Sequence, residues 1–330
     1  MKLLRIGQIK VRYIFFIFIS FIILILSSCQ KIKINTKSLF YFDTVINITL
    51  YNDDNATKHI DEMQDIFSNI SKYASDYNSY NSSSIYDLNK NRSIKTNNIV
   101  KEMLESSLRL KNDTNGYFNP FIGNLSRIWK ESIKNKVLPN DDDIKAEIIK
   151  MNNTSVEITN SNINLIGEGN IDLGAYAKGY AGKKILEYLN DNNIKYYLID
   201  IGNSMILCGS KVENNISLGL RIPNSSKHFA KANVKNICVS TSSSEYQYFE
   251  ANGNKYHHII SPFTGYPINN YDEVCVFSNN VEDLDAYSTA IYLMNEDDAI
   301  KFANEKNVDL VLYKGKIIYK TNRCDYIEEI

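Results

Sequence analysis

From Thr57 to Ser71 the apolar residues Ile60, Met63, Phe67 and Ile70 recur at three- and four-residue spacing, which predicts a helix with one apolar stripe. Just before it, FDTVINITLY (42–51) alternates apolar with polar positions and is rich in β-branched residues, so it reads as a strand. IVKEMLESSLRLKNDTNG (99–116) reads as a helix ending near Gly116. Tyr180–Leu189 and Asp283–Met294 read as two more helices. YLIDIG (197–202), MILCG (205–209) and ISLGLRI (216–222) read as strands, and KYHHII (255–260) is strand-like. VDLVLYKGKIIYK (308–320) reads as a closing hairpin over a Lys314–Gly315 turn. YASDYNSYNSSSIYDLNKN (73–91) reads as a long polar loop studded with Tyr. Strands and helices mix without a regular βαβ period and without a linker between halves. The expectation is one large mixed α/β domain of α+β class over residues 39–330, rather than a doubly wound nucleotide fold.

The N-terminus has a different pattern. Lys2, Arg5, Lys10 and Arg12 stand without an acid among residues 1–12, residues 13–26 are continuously apolar, and LSSC closes the run at Cys29. This is the layout of a secretory signal, and the apolar run is short for a bilayer span of about 20 residues. Residues 1–28 are expected to be a lipoprotein signal peptide, with Cys29 lipidated and residues 29–38, which lack a periodic apolar face, a tether. A lipidated Cys29 would hold the rest of the chain on the extracytoplasmic face of the cell membrane. The formal net charge of −1 gives no support to nucleic acid as a partner. Apart from Cys29, the cysteines Cys208, Cys238, Cys275 and Cys324 are scattered without CxxC spacing, which reads as buried free thiols, with one disulfide left open.

Four segments carry candidate chemistry. In IDLGAYAKGYA (171–181) a strand-like start, a turn at Gly174 and a helix from about Ala177 would aim backbone N–H groups at one spot, with the Lys178 charge beside them, a suitable place for phosphate. The same pattern also describes an ordinary strand-to-helix corner. In EDLDAYSTAIYLM (282–294) Asp285 and Thr289 share a helix face and offer two hard oxygens to Mg2+. The plainer alternative is an Asp serving the helix dipole and a Thr bonded to its own turn. TNGYFNPFIGNLSRIW (114–129) gathers Tyr117, Phe118, Phe121 and Trp129, either core or a stacking wall. YHHIISPFTGYP (256–267) holds two of the four histidines before a turn in which Gly265 needs a positive φ. In an alternating strand His257 and His258 point to opposite faces, so one can face a ligand while the other packs.

In order and spacing these segments resemble the ApbE-like flavin transferases, FAD:protein FMN transferases that are often lipoproteins. FDTVINITLY, SDYNSYNSSSIYDLN, NGYFNPFIGNLSRIW, IDLGAYAKGYA, YHHIISPFTGYP and DAYSTAIYLM each look like one family motif, over about residues 38–320. The resemblance implies an ApbE-like fold and an enzyme with FAD as substrate and Mg2+ as cofactor. FMN would go to a Thr or Ser hydroxyl of a partner flavoprotein and AMP would leave. Water as acceptor, making an FAD pyrophosphatase, and non-catalytic flavin binding are the alternatives. By the same resemblance Phe42, Tyr77, Tyr117, Phe118, Asn119, Asp172, Lys178 and Ile259 would contact FAD. Ala175 (through its carbonyl), Asp285 and Thr289 would hold Mg2+, and His258, Asp285 and Lys178 would serve catalysis. The implied partners are FMN-accepting domains of membrane or extracytoplasmic electron-transfer proteins. The chain departs from the family pattern at Asn119 and Ser261, where Asp is usual, at Phe263 in place of Arg, and at Asn203–Ser204 in place of Gly–Asp. STSSSEYQYF also lacks the family's glycine.

Overall fold

The structure, a computed structural model, describes residues 32–212, 214–245 and 247–330. The expected signal peptide and Cys29 lie outside these residues. Asn35–Ile330 form one compact unit. Among the described residues no helix is long and apolar enough to cross a membrane.

The chain opens with a hairpin of β1 (Ile34–Tyr41) and β2 (Thr44–Tyr51). Two expectations are corrected here. The predicted strand over 42–51 starts at Thr44, and residues 34–38, read as tether, belong to the sheet. The reason is that β1 is an edge strand with alternating exposed and half-buried positions and no deep apolar face. Its polar side chains pair outward, Ser38 Oγ donating to Asn47 Oδ1 at 2.7 Å and Thr36 meeting Thr49 at 3.1 Å. Phe42 and Asp43 thus form the turn, both with positive φ (53° and 55°). Two left-handed residues match the twist of a two-residue hairpin.

Next comes α1 (Ala56–Ala74), whose predicted stripe of Ile60, Met63, Phe67 and Ile70 is buried. Burying such side chains contributes about 1.5–3 kcal/mol each, which fixes the helix face. The expected polar loop ends early, at α2 (Ile85–Asn91). A capping box starts this helix. Ser84 accepts from the Asp87 N–H and the Asp87 carboxylate accepts from the Ser84 N–H. Burial pushes the Asp87 carboxyl up, but hydrogen bonds from Ser79, Ser84 and Tyr80 outweigh it and hold its pKa below the usual range. One carboxylate thus ties down the loop that carries Tyr77.

After β3 (Ser93–Lys95) come α3 (Asn98–Asp113), α4 (Gly123–Asn135) and α5 (Asp141–Asn152), then β4 (Ser155–Ile158) and β5 (Asn162–Ile166). Helix α6 (Ala177–Asp191) leads into the hairpin of β6 (Tyr197–Ile201) and β7 (Met205–Cys208). Strands β8 (Ile216–Arg221), β9 (His228–Val234), β10 (Ile237–Ser243), β11 (Tyr248–Ala251), β12 (Asn254–His257) and β13 (Glu273–Ser278) follow. Helices α7 (Val281–Leu293) and α8 (Glu296–Glu305) precede β14 (Asp309–Tyr313), β15 (Ile317–Lys320) and β16 (Ile327–Glu329). The predicted hairpin at 308–320 is present, with Gly315 at φ 66°, but it does not close the chain, since β16 returns to pair with β9.

The main sheet runs β1–β2–β6–β7–β10–β13–β14–β15. Its strands alternate. Ile46, Ile48 and Leu50 of β2 are fully buried while Val45 between them and the turn is exposed. Helix α7 packs on β10 and β13, α6 packs on α7 and β7, and α1 packs on α6. An antiparallel sheet with helices layered on it is the α+β arrangement expected. Cys208, Cys238, Cys275 and Cys324 are buried free thiols. Burial pushes Cys208 and Cys238 up to about 12.

Candidate active site

The site is built around the strand-to-helix corner at Asp172. Residues 170–172 are held in extended form by their neighbours rather than by a sheet. Ile122 bridges Asn170, the Asp172 N–H donates to Pro120 O at 2.9 Å, and the Asn89 side chain bonds both the N–H and the carbonyl of Ile171. This lays the segment of Tyr117, Phe118 and Asn119 beside Asp172. The Gly174 N–H donates to Asp172 Oδ1 at 2.7 Å, and the Tyr176 and Ala177 N–H groups donate to Leu173 O, which starts α6. Tyr176 provides no side-chain cap, and with the Ala177 N–H spent on Leu173 O the Lys178 and Gly179 N–H groups are those left at the start of α6.

Helix α7 crosses this start closely. A Cβ on Gly179 would lie 2.3 Å from Glu282 O, so only a glycine permits the approach. Glu282 in turn accepts from Ser106, Tyr176 and Lys183, each at 2.8 Å. The consequence is that Lys178 Nζ lies 3.1 Å from Asp285 Oδ2, and it also donates to Gly174 O at 3.3 Å. Asp285 is 4 % exposed and its Oδ2 is buried without a hydrogen bond, because the Lys178 contact has ion-pair distance but not hydrogen-bond geometry. The first helical turn already has Glu282 and Asp283 to meet the dipole, and Arg109 pairs with Asp283. Asp285 is therefore not needed there. Thr289 lies on the same face and makes no side-chain hydrogen bond among the described residues, so it is not bonded back to its turn. Ala175, Asp285 and Thr289 all line the cavity, a carboxylate, a hydroxyl and a carbonyl are oxygen donors of the kind Mg2+ takes, and the unbonded Asp285 Oδ2 has room for such a partner. Among the described residues there is no cluster of three His, Cys, Asp or Glu side chains suited to a metal.

The two histidines divide as their alternation predicts. His257 is fully buried, its Nδ1 accepts from the Ile259 N–H at 3.1 Å, and burial, with His258 and Lys255 nearby, pushes its pKa down to about 3. His258 is exposed and lines the cavity. Gly265 has φ 72° as expected and its carbonyl accepts from the buried Trp129 indole N–H at 2.7 Å. Trp129 stacks on Tyr256 with ring centroids 5.6 Å apart. The aromatic cluster is thus core and wall at once. Phe118, Phe121 and Trp129 are buried, while Tyr117, Phe118 and Trp129 also border the cavity.

All twelve flavin, metal and catalytic candidates line one cavity of about 1050 Å³: Phe42, Tyr77, Tyr117, Phe118, Asn119, Asp172, Ala175, Lys178, His258, Ile259, Asp285 and Thr289. The residues that depart from the family pattern make local turn bonds of their own. Asn119 Oδ1 accepts from the Phe121 N–H at 3.1 Å and Ser261 Oγ from the Phe263 N–H at 3.3 Å, the turn bonds a carboxylate would make. Asn203 adopts φ 56°, which Asn tolerates, and Ser243 and Ser244 have no positive φ. Phe263 is half exposed and meets Tyr117 edge-on at 4.9 Å.

Sequence reasoning missed two parts of the wall. Arg221, His228, Glu245, Gln247 and Glu273 line a further arm, with Arg221 and Glu245 paired at 2.6 Å and burial pushing Glu273 up to about 7. Arg221, His228 and Glu273 come from three separate strands and Glu245 and Gln247 from the connection between β10 and β11, and no local pattern joins them. Lys130 also lines the cavity, and its place directly after Trp129 was a signal within reach.

The chain matches the family model described as the ApbE family over residues 42–312. It is 28 % identical over 212 residues to the FAD:protein FMN transferase of Treponema pallidum, covering 58 % of this chain and 59 % of that protein. It thus spans less than two thirds of that relative. It is 23 % identical to the FAD:protein FMN transferase of Haemophilus influenzae over 308 residues, 87 % of this chain and 88 % of that protein. The crystal structure of the ApbE protein of Thermotoga maritima superposes with a TM-score of 0.77 at 20 % identity, covering 88 % of this chain and 97 % of that chain, which gives the same fold. With the motifs, the cavity and the family match in agreement over most of its length, the chain belongs to the ApbE family.

Proposed function

We propose that the protein transfers FMN from FAD to a Thr or Ser hydroxyl of a partner flavoprotein and releases AMP, with Mg2+ required. The observation that carries this reading is the convergence of all twelve candidate residues on one cavity, with Lys178 and Asp285 in contact. Phe42, Tyr77, Tyr117 and Phe118 supply flat apolar surface for a ring system. Lys178 and the N-terminus of α6 supply positive potential for the pyrophosphate. Asp285, Thr289 and the Ala175 carbonyl would hold Mg2+, whose charge lowers the energy of electron density building on phosphoryl oxygens.

In the reaction the acceptor oxygen forms a bond to the FMN phosphorus. The bond from that phosphorus to the bridging oxygen breaks, and AMP leaves with that oxygen. Lys178 neutralises charge on the phosphoryl oxygens, and this electrostatic help is the main demand of a loose phosphoryl transition state. His258 borders the cavity from an exposed position and would take the hydroxyl proton, whereas buried His257 would not.

The partners in this reading are FMN-accepting domains of membrane or extracytoplasmic electron-transfer proteins. Cys29 would carry the lipid anchor, and Cys29→Ala is expected to abolish acylation and leave the protein off the membrane. Incubating the pure protein with FAD, Mg2+ and an FMN-accepting domain should yield AMP and a covalently yellow acceptor. AMP and free FMN without labelled acceptor would mean that water is the acceptor. Binding of FAD without AMP would leave only a flavin-binding protein.

A further inference from the structure

A second cavity of about 360 Å³ adjoins the first, and the two share Phe42, Asp43, Tyr77, Lys130, Asp172, Gly174 and Lys178. Lys130 is the one shared residue for which neither the motifs nor the expected metal set has a use and which carries a positive charge. It follows Trp129 in α4, and the Trp129 indole is pinned by Gly265 O and by stacking on Tyr256. That anchoring fixes where the Lys130 stem leaves the helix.

The ammonium lies 4.6 Å from the Tyr77 ring centroid and donates to the Tyr77 hydroxyl. Lys130 has no carboxylate within ion-pair distance among the described residues. Burial works against its charge, but Asp172, the Tyr77 hydroxyl and Asp76 outweigh it, so the amine stays protonated. Burial and the Asp172 charge push Asp76 the other way, above the usual carboxylate range. A protonated amine at a cavity wall, held by a neutral ring and a phenol, has donors left for a stronger partner. A phosphate oxygen entering the cavity would be that partner, through a charge-assisted hydrogen bond.

We propose that Lys130 is a second cationic ligand for the phosphates of the bound flavin nucleotide, reaching them from the Tyr77 wall while Lys178 serves from α6. This rests on the flavin-nucleotide reading of the site. Asp172 lines both cavities with the two lysines, and its charge favours the protonated form of Lys130.

The rival role for Lys130 is to position Tyr77 alone. Three ligands separate the two roles: riboflavin has no phosphate, FMN has one and FAD has two. Affinities are measured by flavin fluorescence for wild type, Lys130→Gln and Lys130→Arg, without turnover. Glutamine retains a donor for the Tyr77 hydroxyl and loses the charge. The expected result for Lys130→Gln is a loss of about tenfold or more for FMN and FAD at low salt, from the strength of a charged hydrogen bond at a partly exposed site. Riboflavin affinity should stay unchanged, the deficit should shrink with added salt, and Lys130→Arg should recover most of it. A loss of equal size for all three ligands, or no loss for any, overturns the proposal. Wild type that binds none of the three refutes the flavin reading itself, a result distinct from a failure confined to the Lys130 variants.

Discussion

The contact of α6 with α7 sets the distance between Lys178 and Asp285, and Gly179→Ala tests it. The added Cβ would lie 2.3 Å from Glu282 O and 3.2 Å from Val281 O, both backbone atoms that no rotamer change can move. Restoring an ordinary carbon–oxygen contact needs the helices to part by roughly 1 Å. Glu282 resists this, because its side chain is held by Ser106, Tyr176 and Lys183. Overpacking of a tight contact costs about 1–3 kcal/mol, and a clash between backbones belongs at the top of that range. The better helix propensity of alanine offsets about 1 kcal/mol. The expected net loss is about 2 kcal/mol, a fall in Tm of roughly 3 °C for a unit of this size. The Lys178–Asp285 separation would grow from 3.1 Å by a similar displacement, and a 1 Å error in a phosphoryl-transfer site costs about a hundredfold in rate. Thermal melts and initial rates of AMP release on the same preparation check both effects. The competing outcome has the opposite sign, since glycine-to-alanine changes in unconstrained helices stabilise. A Gly179→Ala protein that melts above wild type and transfers FMN at full rate would refute the claim that this crossing positions the site.

Three further substitutions bear on the same region. Asp285→Asn should lower transfer by two or more orders of magnitude at any Mg2+ concentration, since each 1.4 kcal/mol of lost charge stabilisation is about tenfold. It should also cost about 1–2 kcal/mol of stability, because Lys178 loses its partner but can turn toward cavity water. Full activity with only the stability loss would remove Asp285 from the metal set. His257 has its pKa depressed from 6.5 to about 3. The unfolded chain binds that proton as pH falls below about 6.5 and the folded chain does not until about 3, so stability declines across this window and is unaffected above it. His257→Asn, which keeps an acceptor for the Ile259 N–H, should flatten the decline in melting temperature between pH 6.5 and 4. His258→Ala should act on transfer, and because His258 helps depress His257 it should change that slope less than His257→Asn does. Equal slopes for wild type and His257→Asn would show that His257 is not the buried neutral group.

What could be read before folding was whatever depends on neighbours in sequence. The stripe of Ile60, Met63, Phe67 and Ile70 needs only helical periodicity. The left-handed Gly265 needs only the turn chemistry of TGYP, and the split of His257 from His258 needs only the alternation of an extended chain. The family resemblance named the twelve candidates within local pieces, a turn, a helix start or a strand end, and the fold brings those pieces to one cavity. The strand β1 was hidden because an edge strand has no apolar face to announce it, and α2 was hidden because its apolar residues are few and its capping box lies within a run of Ser and Asn.

Tertiary structure alone decided the distances. Nothing in AKGYAGKK says that Gly179 meets a carbonyl of α7, or that Lys178 therefore stands 3.1 Å from Asp285. Nor does the chain order say that Lys130 and Tyr77, fifty-three positions apart, share one wall, or that Arg221, Glu245 and Glu273 extend the cavity. Those contacts join segments far apart in the chain, and their geometry follows from how closely packed elements can approach, a property of backbone shape and side-chain volume in three dimensions. Sequence determined which local pieces exist and what chemistry each carries; close packing between the pieces determined which of them meet.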